Sequence, residues 1–87
     1  MNRRRSYAGG MSQMRPPRMF RAPKILSGEV SLDGYPLRYA AVLSGGTSYE
    51  SALDQVLSVV ELLEQRGWEL VNLTSPQAMQ FIAVMRH

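Results

Sequence analysis

The sequence predicts a small α+β domain: an antiparallel sheet of three to four strands with one amphipathic helix packed on one face (ββαββ), preceded by a disordered basic tail. Three observations predict this fold class. An Asp-Gly pair at residues 33–34 lies between apolar segments, which favours a hairpin turn. Apolar residues at helical spacing follow, and they stop at Gly67. Beyond this glycine, two segments with branched and aromatic residues are typical of strands.

The first 24 residues are predicted to form the flexible tail, and residues 25–87 to form the domain. The tail has three prolines, two adjacent glycines and no periodic apolar run, a composition typical of disorder. The formal charge of +3 is unevenly divided, because residues 25–87 hold three arginines against seven acidic residues. The tail holds no acid, and its seven basic residues are Arg3, Arg4, Arg5, Arg15, Arg18, Arg21 and Lys24.

These seven basic residues are the candidate nucleic-acid-binding site, because arginine and lysine neutralise phosphates and release their counterions. Tyr7 and Phe20 would be available to stack on bases. Three other interpretations of the tail remain open. It could be a solvated extension, or translation could start at a later methionine, since four of the six methionines lie in it. It could also be an organellar transit peptide, although its prolines and glycines argue against that.

The first two strands are predicted on either side of the Asp-Gly turn, over residues 30–32 and residues 35–43. Pro36 must then start the second strand or lie at an edge, because it cannot donate a ladder hydrogen bond. The first strand is consequently short.

The loop over residues 44–48 contains two glycines but lacks the lysine of a phosphate-binding P-loop, so we predict a plain connection. Thr47 and Glu50 fit a capping box at the start of a helix over residues 48–66. Gly67 ends this helix, because glycine adopts the left-handed conformation without a Cβ penalty.

The predicted helix is apolar over a wider arc than one sheet face requires. Its apolar side carries Tyr49, Ala52, Leu53, Val56, Leu57, Val59, Val60 and Leu63. Leu62 lies outside this arc, so the margins of the helix could contact a second subunit or the tail. The polar side gathers Glu50, Asp54, Glu61 and Glu64. This acidic sector is either a solvated face or a dock for a basic partner.

Residues 68–75 and 78–87 predict the third and fourth strands, joined by a turn over residues 75–77. Neither strand has a cleanly polar face. Since one helix covers only one face of a sheet, we expect a second copy of the chain or the tail to cover the other. A structured part of about 60 residues also gives a marginal core without disulfides or metals. The sequence therefore predicts a homo-oligomer, with a dimer favoured.

Alternation along the third strand places Trp68 and Leu70 on the face opposite Val71 and Leu73. The fourth strand places Ile82 and Val84 on the face away from its aromatic residue. From these positions and the helix margin, the candidate partner interface consists of Leu62, Val71, Leu73, Ile82 and Val84.

A leucine-rich helix, the sequence Gly-Trp-Glu-Leu at residues 67–70 and a hairpin ending in Arg86 follow one another in this chain. This order resembles a family of small bacterial and phage domains of unknown function, the one numbered four-one-seven-seven. The resemblance covers roughly residues 38–86. It implies a small α+β fold and no established activity. Within such a motif Trp68 looks like a core anchor rather than a binding residue.

The sequence lacks the parts of an enzyme site. It has no cysteine, its single histidine is His87, and no serine stands in a strand-to-helix elbow motif. No group of His, Asp or Glu has metal-binding spacing. We therefore expect no catalytic residue, no metal and no cofactor. Catalysis would require subunits to pool residues, such as Tyr39 or Glu69 with Arg38.

No apolar run approaches the roughly 18 residues that span a membrane, and no apolar signal core lies near the N-terminus, so we expect a cytoplasmic protein without a membrane partner. The sequence predicts a non-enzymatic, oligomeric accessory protein whose arginine-rich tail binds nucleic acid or another acidic partner. The alternative is a protein–protein adaptor or regulator. It would act through the sheet face and the acidic helix sector, with the tail dispensable.

Overall fold

The computed structural model of the chain describes residues 16–87. Within them, the elements are β1 (Met19–Arg21), α1 (Ala22–Leu26), β2 (Tyr39–Leu43), α2 (Tyr49–Glu64), β3 (Glu69–Gln77) and β4 (Gln80–Arg86). The strands form one sheet in the order β1-β2-β4-β3. β1 runs parallel to β2, and the other two pairs are antiparallel, so the sheet is mixed. The predicted α+β class is confirmed.

The core lies between α2 and one face of the sheet. The buried residues of α2 are Ala52, Val56, Val59, Val60 and Leu63. The buried residues that the strands contribute to the same cluster are Phe20, Ala40, Val42, Phe81, Ala83 and Met85. The helical spacing of the first set and the alternate spacing of the second bring two apolar surfaces together, and their burial is the main term that stabilises the fold.

α2 begins at a serine cap. The Ser48 hydroxyl accepts a hydrogen bond from the Ser51 amide at 3.1 Å, while the backbone of Ser48 is still extended. The capping box predicted at Thr47 and Glu50 is therefore wrong by one residue. The hydroxyl of Ser48 occupies the capping position because the chain enters the helical conformation only at Tyr49.

α2 ends at Glu64, two residues before the predicted end, and the turn that follows it closes at Gly67, the glycine at which the sequence predicts the stop. This glycine has a φ of 94°, in the left-handed region. Its amide donates to the Glu64 carbonyl at 3.2 Å, and the Trp68 amide donates to the Leu63 carbonyl at 3.0 Å. These two bonds satisfy carbonyls that the last helical turn would otherwise leave without a partner, and they direct the chain into β3.

The strand predicted over residues 30–32 is wrong. The Asp-Gly turn does form, with Gly34 at a φ of 79° and the Tyr35 amide bonded to the Leu32 carbonyl at 3.1 Å. However, Val30, Leu32 and Tyr35 are all buried. The segment is a loop that turns three apolar side chains into the core, and the edge of β2 is occupied by β1 instead.

The fold begins before residue 25, where the sequence places the domain boundary. Phe20 in β1 is only 5% exposed, and Ala22 in α1 is fully buried. Pro23 lies in the first turn of α1, where a backbone N–H has no helical partner to lose. Residues 16–24 are thus part of the folded unit rather than of a disordered tail. The rest of the predicted tail, residues 1–15, lies outside the described residues.

A β-bulge in β3 changes the predicted alternation. Leu70 pairs with Met85 and Leu73 pairs with Ala83, so both leucines lie on the face that α2 covers. The irregularity between Leu70 and Asn72 leaves Val71 as an extra residue, 47% exposed. The prediction that Leu73 shares a face with Val71 is therefore wrong, because one inserted residue reverses the alternation beyond it.

The side of the sheet turned away from α2 is called the open face here. From the strand register, it carries Met19, Arg21, Tyr39, Ala41, Leu43, Ile82, Val84 and Arg86, with Glu69, Asn72 and Thr74 of β3 beside them. Among residues 16–87, no helix covers this face. The helices of that part of the chain are also too short or too polar to span a membrane.

Candidate nucleic-acid interface

Arg18 is fixed against β2 by two hydrogen bonds. Its carbonyl accepts from the Ala41 amide at 2.8 Å, and its guanidinium donates through Nη1 to the Tyr39 carbonyl at 3.1 Å. The backbone and the side chain of Arg18 are therefore both held beside the first half of β2. Pro16, the first described residue, lies just before this anchored segment.

Phe20 is not available to stack on a base, and that prediction is wrong. Its ring is buried and packs edge-on against Tyr35, with ring centroids 5.8 Å apart and planes at 81°. The Tyr35 hydroxyl in turn donates to the Pro17 carbonyl at 2.6 Å. Phe20 is a core anchor because it is the inward-pointing residue of a three-residue strand. Tyr7, the other predicted stacking residue, lies outside the described residues.

Three arginines in or just before β1 and β2 have no carboxylate partner within the described residues. Within residues 16–87, no carboxylate lies within 4.0 Å of the guanidinium groups of Arg18, Arg21 or Arg38. Arg18 directly precedes β1 and Arg38 directly precedes β2, and these strands are parallel, so both arginines lie at the same end of the sheet. Arg21 is exposed and lies on the open face at the other end of β1.

The remaining predicted nucleic-acid residues divide into two groups. Lys24 pairs with Glu29 at 3.1 Å on the surface, so a carboxylate already offsets its charge. The other four residues lie outside the described part of the chain, and they are Arg3, Arg4, Arg5 and Arg15. Of the predicted set, Arg18 and Arg21 have no carboxylate partner in the described region, and the structure adds Arg38, which the sequence analysis did not include in this site.

The acidic residues lie mostly on the opposite side of the molecule. The outer surface of α2 exposes four carboxylates, those of Glu50, Asp54, Glu61 and Glu64. Glu69 is the single acidic residue in the four strands of the described region. The fold thus separates charge across the sheet, with arginines toward the open face and its β1 edge and carboxylates beyond α2.

Arg86 connects Glu69 to Tyr39 on the open face. Its Nη2 atom donates to Glu69 Oε1 at 2.6 Å. This bond raises the pKa of the Arg86 guanidinium, and the neighbouring Tyr39 side chain raises that pKa further. Arg86 is a permanent cation that offsets the charge of Glu69 beside Tyr39.

A shallow apolar groove lies beside Tyr39. It is lined by Arg18, Tyr39, Ala40, Ala41 and Val84. The small side chain of Ala41 leaves the depression on the open face, and Tyr39, which is 40% exposed, lies beside it. The groove therefore combines an accessible aromatic ring with an arginine that has no carboxylate partner.

The five residues of the predicted partner interface do not form one patch. Ile82 and Val84 are half-buried on the open face, and Val71 is exposed at the bulge. Leu73 packs toward the core from the helix side. Leu62 lines a separate cleft between α2 and the 28–33 loop, next to the ion pair of Arg66 with Asp33.

The single histidine has structural contacts. The His87 ring stacks on Trp68, and its Nε2 atom lies 2.6 Å from the Leu37 carbonyl. Residues 16–87 contain no group of three or more His, Cys, Asp or Glu side chains placed to hold a metal ion. Of the residues suggested for a site pooled between subunits, Glu69 pairs within the chain with Arg86 rather than with Arg38.

Sequence reasoning missed the combination of Arg18 with Tyr39. The two residues are separated by 21 positions, and no spacing rule links them. The sequence offered one signal, the excess of arginine over acidic residues near Arg18, which indicates a phosphate-binding surface. This signal does not identify the aromatic residue that lies beside the arginine.

Comparisons with protein-family models, curated proteins and solved structures find no match for this chain. The resemblance to the bacterial and phage family therefore stays a prediction.

Proposed function

We propose that this protein is a non-enzymatic accessory protein that binds the phosphate backbone of nucleic acid. The observation that supports this proposal is the set of three arginines without ion pairs within residues 16–87, Arg18, Arg21 and Arg38, near the β1 edge of a sheet whose single acidic residue, Glu69, lies in the opposite edge strand. A cytoplasmic location, where nucleic acid is accessible, belongs to the same proposal.

Arginine suits this role because its planar group donates hydrogen bonds to two phosphate oxygens at once. An arginine that already has a carboxylate partner would have to break that pair, whereas these three would not. Four further arginines lie in residues 1–15, which precede Arg18 in the sequence, so they add positive charge to the same end of the chain. Charge separation across the sheet also orients an approaching polyanion toward the open face.

The test compares two double variants that change the net charge equally. Arg18→Gln with Arg21→Gln removes unpaired cations, and Lys24→Gln with Arg66→Gln removes cations that have carboxylate partners. We expect the first pair to weaken binding of the full chain to a single-stranded oligonucleotide and to lower the salt slope by about 1 per arginine. The second pair should change both quantities much less.

Fluorescence anisotropy over a salt titration measures both quantities. Absence of salt-dependent binding by the unaltered protein, or equal losses in the two double variants, would contradict the proposal. A chain that lacks residues 1–15 shows how much of the affinity those residues contribute.

A protein partner is the second candidate function, and a second copy of the chain is its simplest form. The observation that favours it is the apolar content of the open face, where Met19 is 50% exposed and Ile82 and Val84 are half-buried. Sedimentation equilibrium tests it. A dimer that dissociates when Val84 is replaced by Asp would support association through this face, and a monomer at all concentrations would exclude a homodimer.

A further inference from the structure

We propose that the groove beside Tyr39 binds an unpaired base of a single-stranded nucleic acid, stacked on the tyrosine ring. This inference rests on the proposed function, and it adds a ligand class to it: single strands rather than duplexes. The groove is lined by Arg18, Ala41 and Val84, with Tyr39 along one side.

The tyrosine ring is accessible, and the backbone that carries it is fixed. Tyr39 is 40% exposed on the open face. The Tyr39 carbonyl accepts from Arg18 at 3.1 Å, and its strand neighbour Arg86 is paired with Glu69 at 2.6 Å. A ring carried by a fixed strand loses less conformational entropy when a base stacks on it than a ring in a mobile segment.

The surrounding charges favour a nucleic acid over a second copy of the chain. Arg18 borders the groove and Arg21 lies further along the same edge strand, and neither has a carboxylate partner in the described region. A symmetric dimer through this face would bring two such arginine sets together, and like charges oppose that contact. A phosphate backbone would instead neutralise them.

The shape of the groove favours an unpaired base. Duplex bases are stacked on each other and present only their edges, whereas a single strand can turn a base face toward a protein ring. Every base has a π-face, so stacking on Tyr39 would tolerate all four bases and show little sequence preference. The small side chain of Ala41, on the open face, leaves the space beside the ring into which a base would enter.

The experiment compares two labelled strands of about 12 nucleotides, a length within the site size of single-strand-binding folds: an oligothymidylate, and an abasic strand that carries the same phosphates without bases. Fluorescence anisotropy with the full-length protein measures both affinities. We expect the unaltered protein to bind the oligothymidylate about tenfold more tightly than the abasic strand, the ratio that one stacked base typically contributes.

Three substitutions test whether Tyr39 provides the ring on which the base stacks. Tyr39→Leu should bring the affinity for oligothymidylate down to that for the abasic strand without changing the salt slope. Tyr39→Phe keeps the ring and should retain most of the difference. Tyr49→Leu is the matched control, because Tyr49 is a 54% exposed tyrosine on α2, away from the open face, and it should leave both affinities unchanged. Thermal unfolding of each variant confirms that it folds.

The outcomes separate the two proposals. If neither strand binds, the proposed function fails and the groove assignment fails with it. If the unaltered protein binds both strands equally, or if Tyr39→Leu weakens both equally, phosphate binding stands and stacking at Tyr39 is overturned. A dimer in which Tyr39 is shielded from acrylamide quenching, and remains so when oligonucleotide is added, would also overturn the groove as a base site.

Discussion

The imidazole of His87 stacks on the indole of Trp68, with ring centroids 4.0 Å apart and ring planes at 23°. The backbone amide of His87 also donates to the Arg38 carbonyl at 3.0 Å, and its Nε2 atom contacts the Leu37 carbonyl at 2.6 Å. The end of β4 is therefore tied both to the start of β3 and to the segment that carries Arg38. This arrangement fixes one of the three unpaired arginines relative to the sheet.

Replacing His87 by Ala should reduce the free energy of unfolding by about 1 to 2 kcal/mol, because it removes a stacked ring contact and a hydrogen bond. Urea denaturation followed by Trp68 fluorescence measures the change. His87→Phe keeps the stacking and should recover about half of the loss. An unchanged midpoint in His87→Ala would show that the stacked pair does not stabilise this end of the sheet.

Replacing Gly67 by Ala should reduce the free energy of unfolding by about 1 kcal/mol through backbone strain alone. The φ of Gly67 is 94°, and no atom lies within 4 Å of a Cβ added there, so a steric clash does not contribute. Gly67→Asn should be less costly, because asparagine tolerates the left-handed region. A loss of several kcal/mol in Gly67→Ala would indicate a contact that this geometry excludes.

Threonine substitutions at Val71 and Leu73 test the bulge in β3. Val71 is 47% exposed, so Val71→Thr should change the free energy of unfolding by less than about 0.5 kcal/mol. Leu73 packs against the core, so Leu73→Thr should cost about 1 to 2 kcal/mol. Thermal unfolding of the two variants gives the comparison, and threonine suits strands at both positions. Equal losses of stability in the two variants would show that Val71 and Leu73 lie on the same face of the sheet, as simple alternation without a bulge requires.

Alanine substitutions at the start of α2 distinguish its two neighbouring hydroxyl residues. Ser48→Ala should reduce the free energy of unfolding by about 1 kcal/mol, because it removes the acceptor of the Ser51 amide. Thr47→Ala should have almost no effect, since the hydroxyl of Thr47 does not cap the helix. Chemical denaturation of the pair measures the difference. A larger loss of stability in Thr47→Ala than in Ser48→Ala would show that Thr47, rather than Ser48, caps the helix.

Replacing Glu69 by Gln should strengthen nucleic-acid binding and leave stability nearly unchanged. Glu69 and Arg86 form a largely exposed ion pair, and such pairs contribute about 0 to 1 kcal/mol. Its removal frees Arg86 for a phosphate and should raise the salt slope by about 1. Glu61→Gln makes the same charge change on the outer surface of α2. Equal gains in the two variants would point to net charge rather than to the open face.

The parts of the fold that depend on neighbouring residues could be predicted. The apolar spacing of Val56, Val59, Val60 and Leu63 indicates one buried helix face, and Gly67 marks its end. The hairpin of β3 and β4 follows from two strand-like segments, but its turn lies at residues 78–79 and not at the predicted residues 75–77, which belong to β3. For the candidate site, the sequence identified the basic character of Arg18 and Arg21 but not the side chains beside them.

The tertiary structure alone decided three things. It selected the three residues of β1 as the neighbour of β2, it inserted Val71 as a bulge, and it placed Tyr39 between Arg18 and Arg86. Each of these depends on which distant segments compete to cover the same apolar surface. Local spacing determines the conformation of one element, whereas the partner of an element is set by the total burial and hydrogen bonding of the whole chain. A three-residue strand carries too few residues for its own pattern to reveal that outcome.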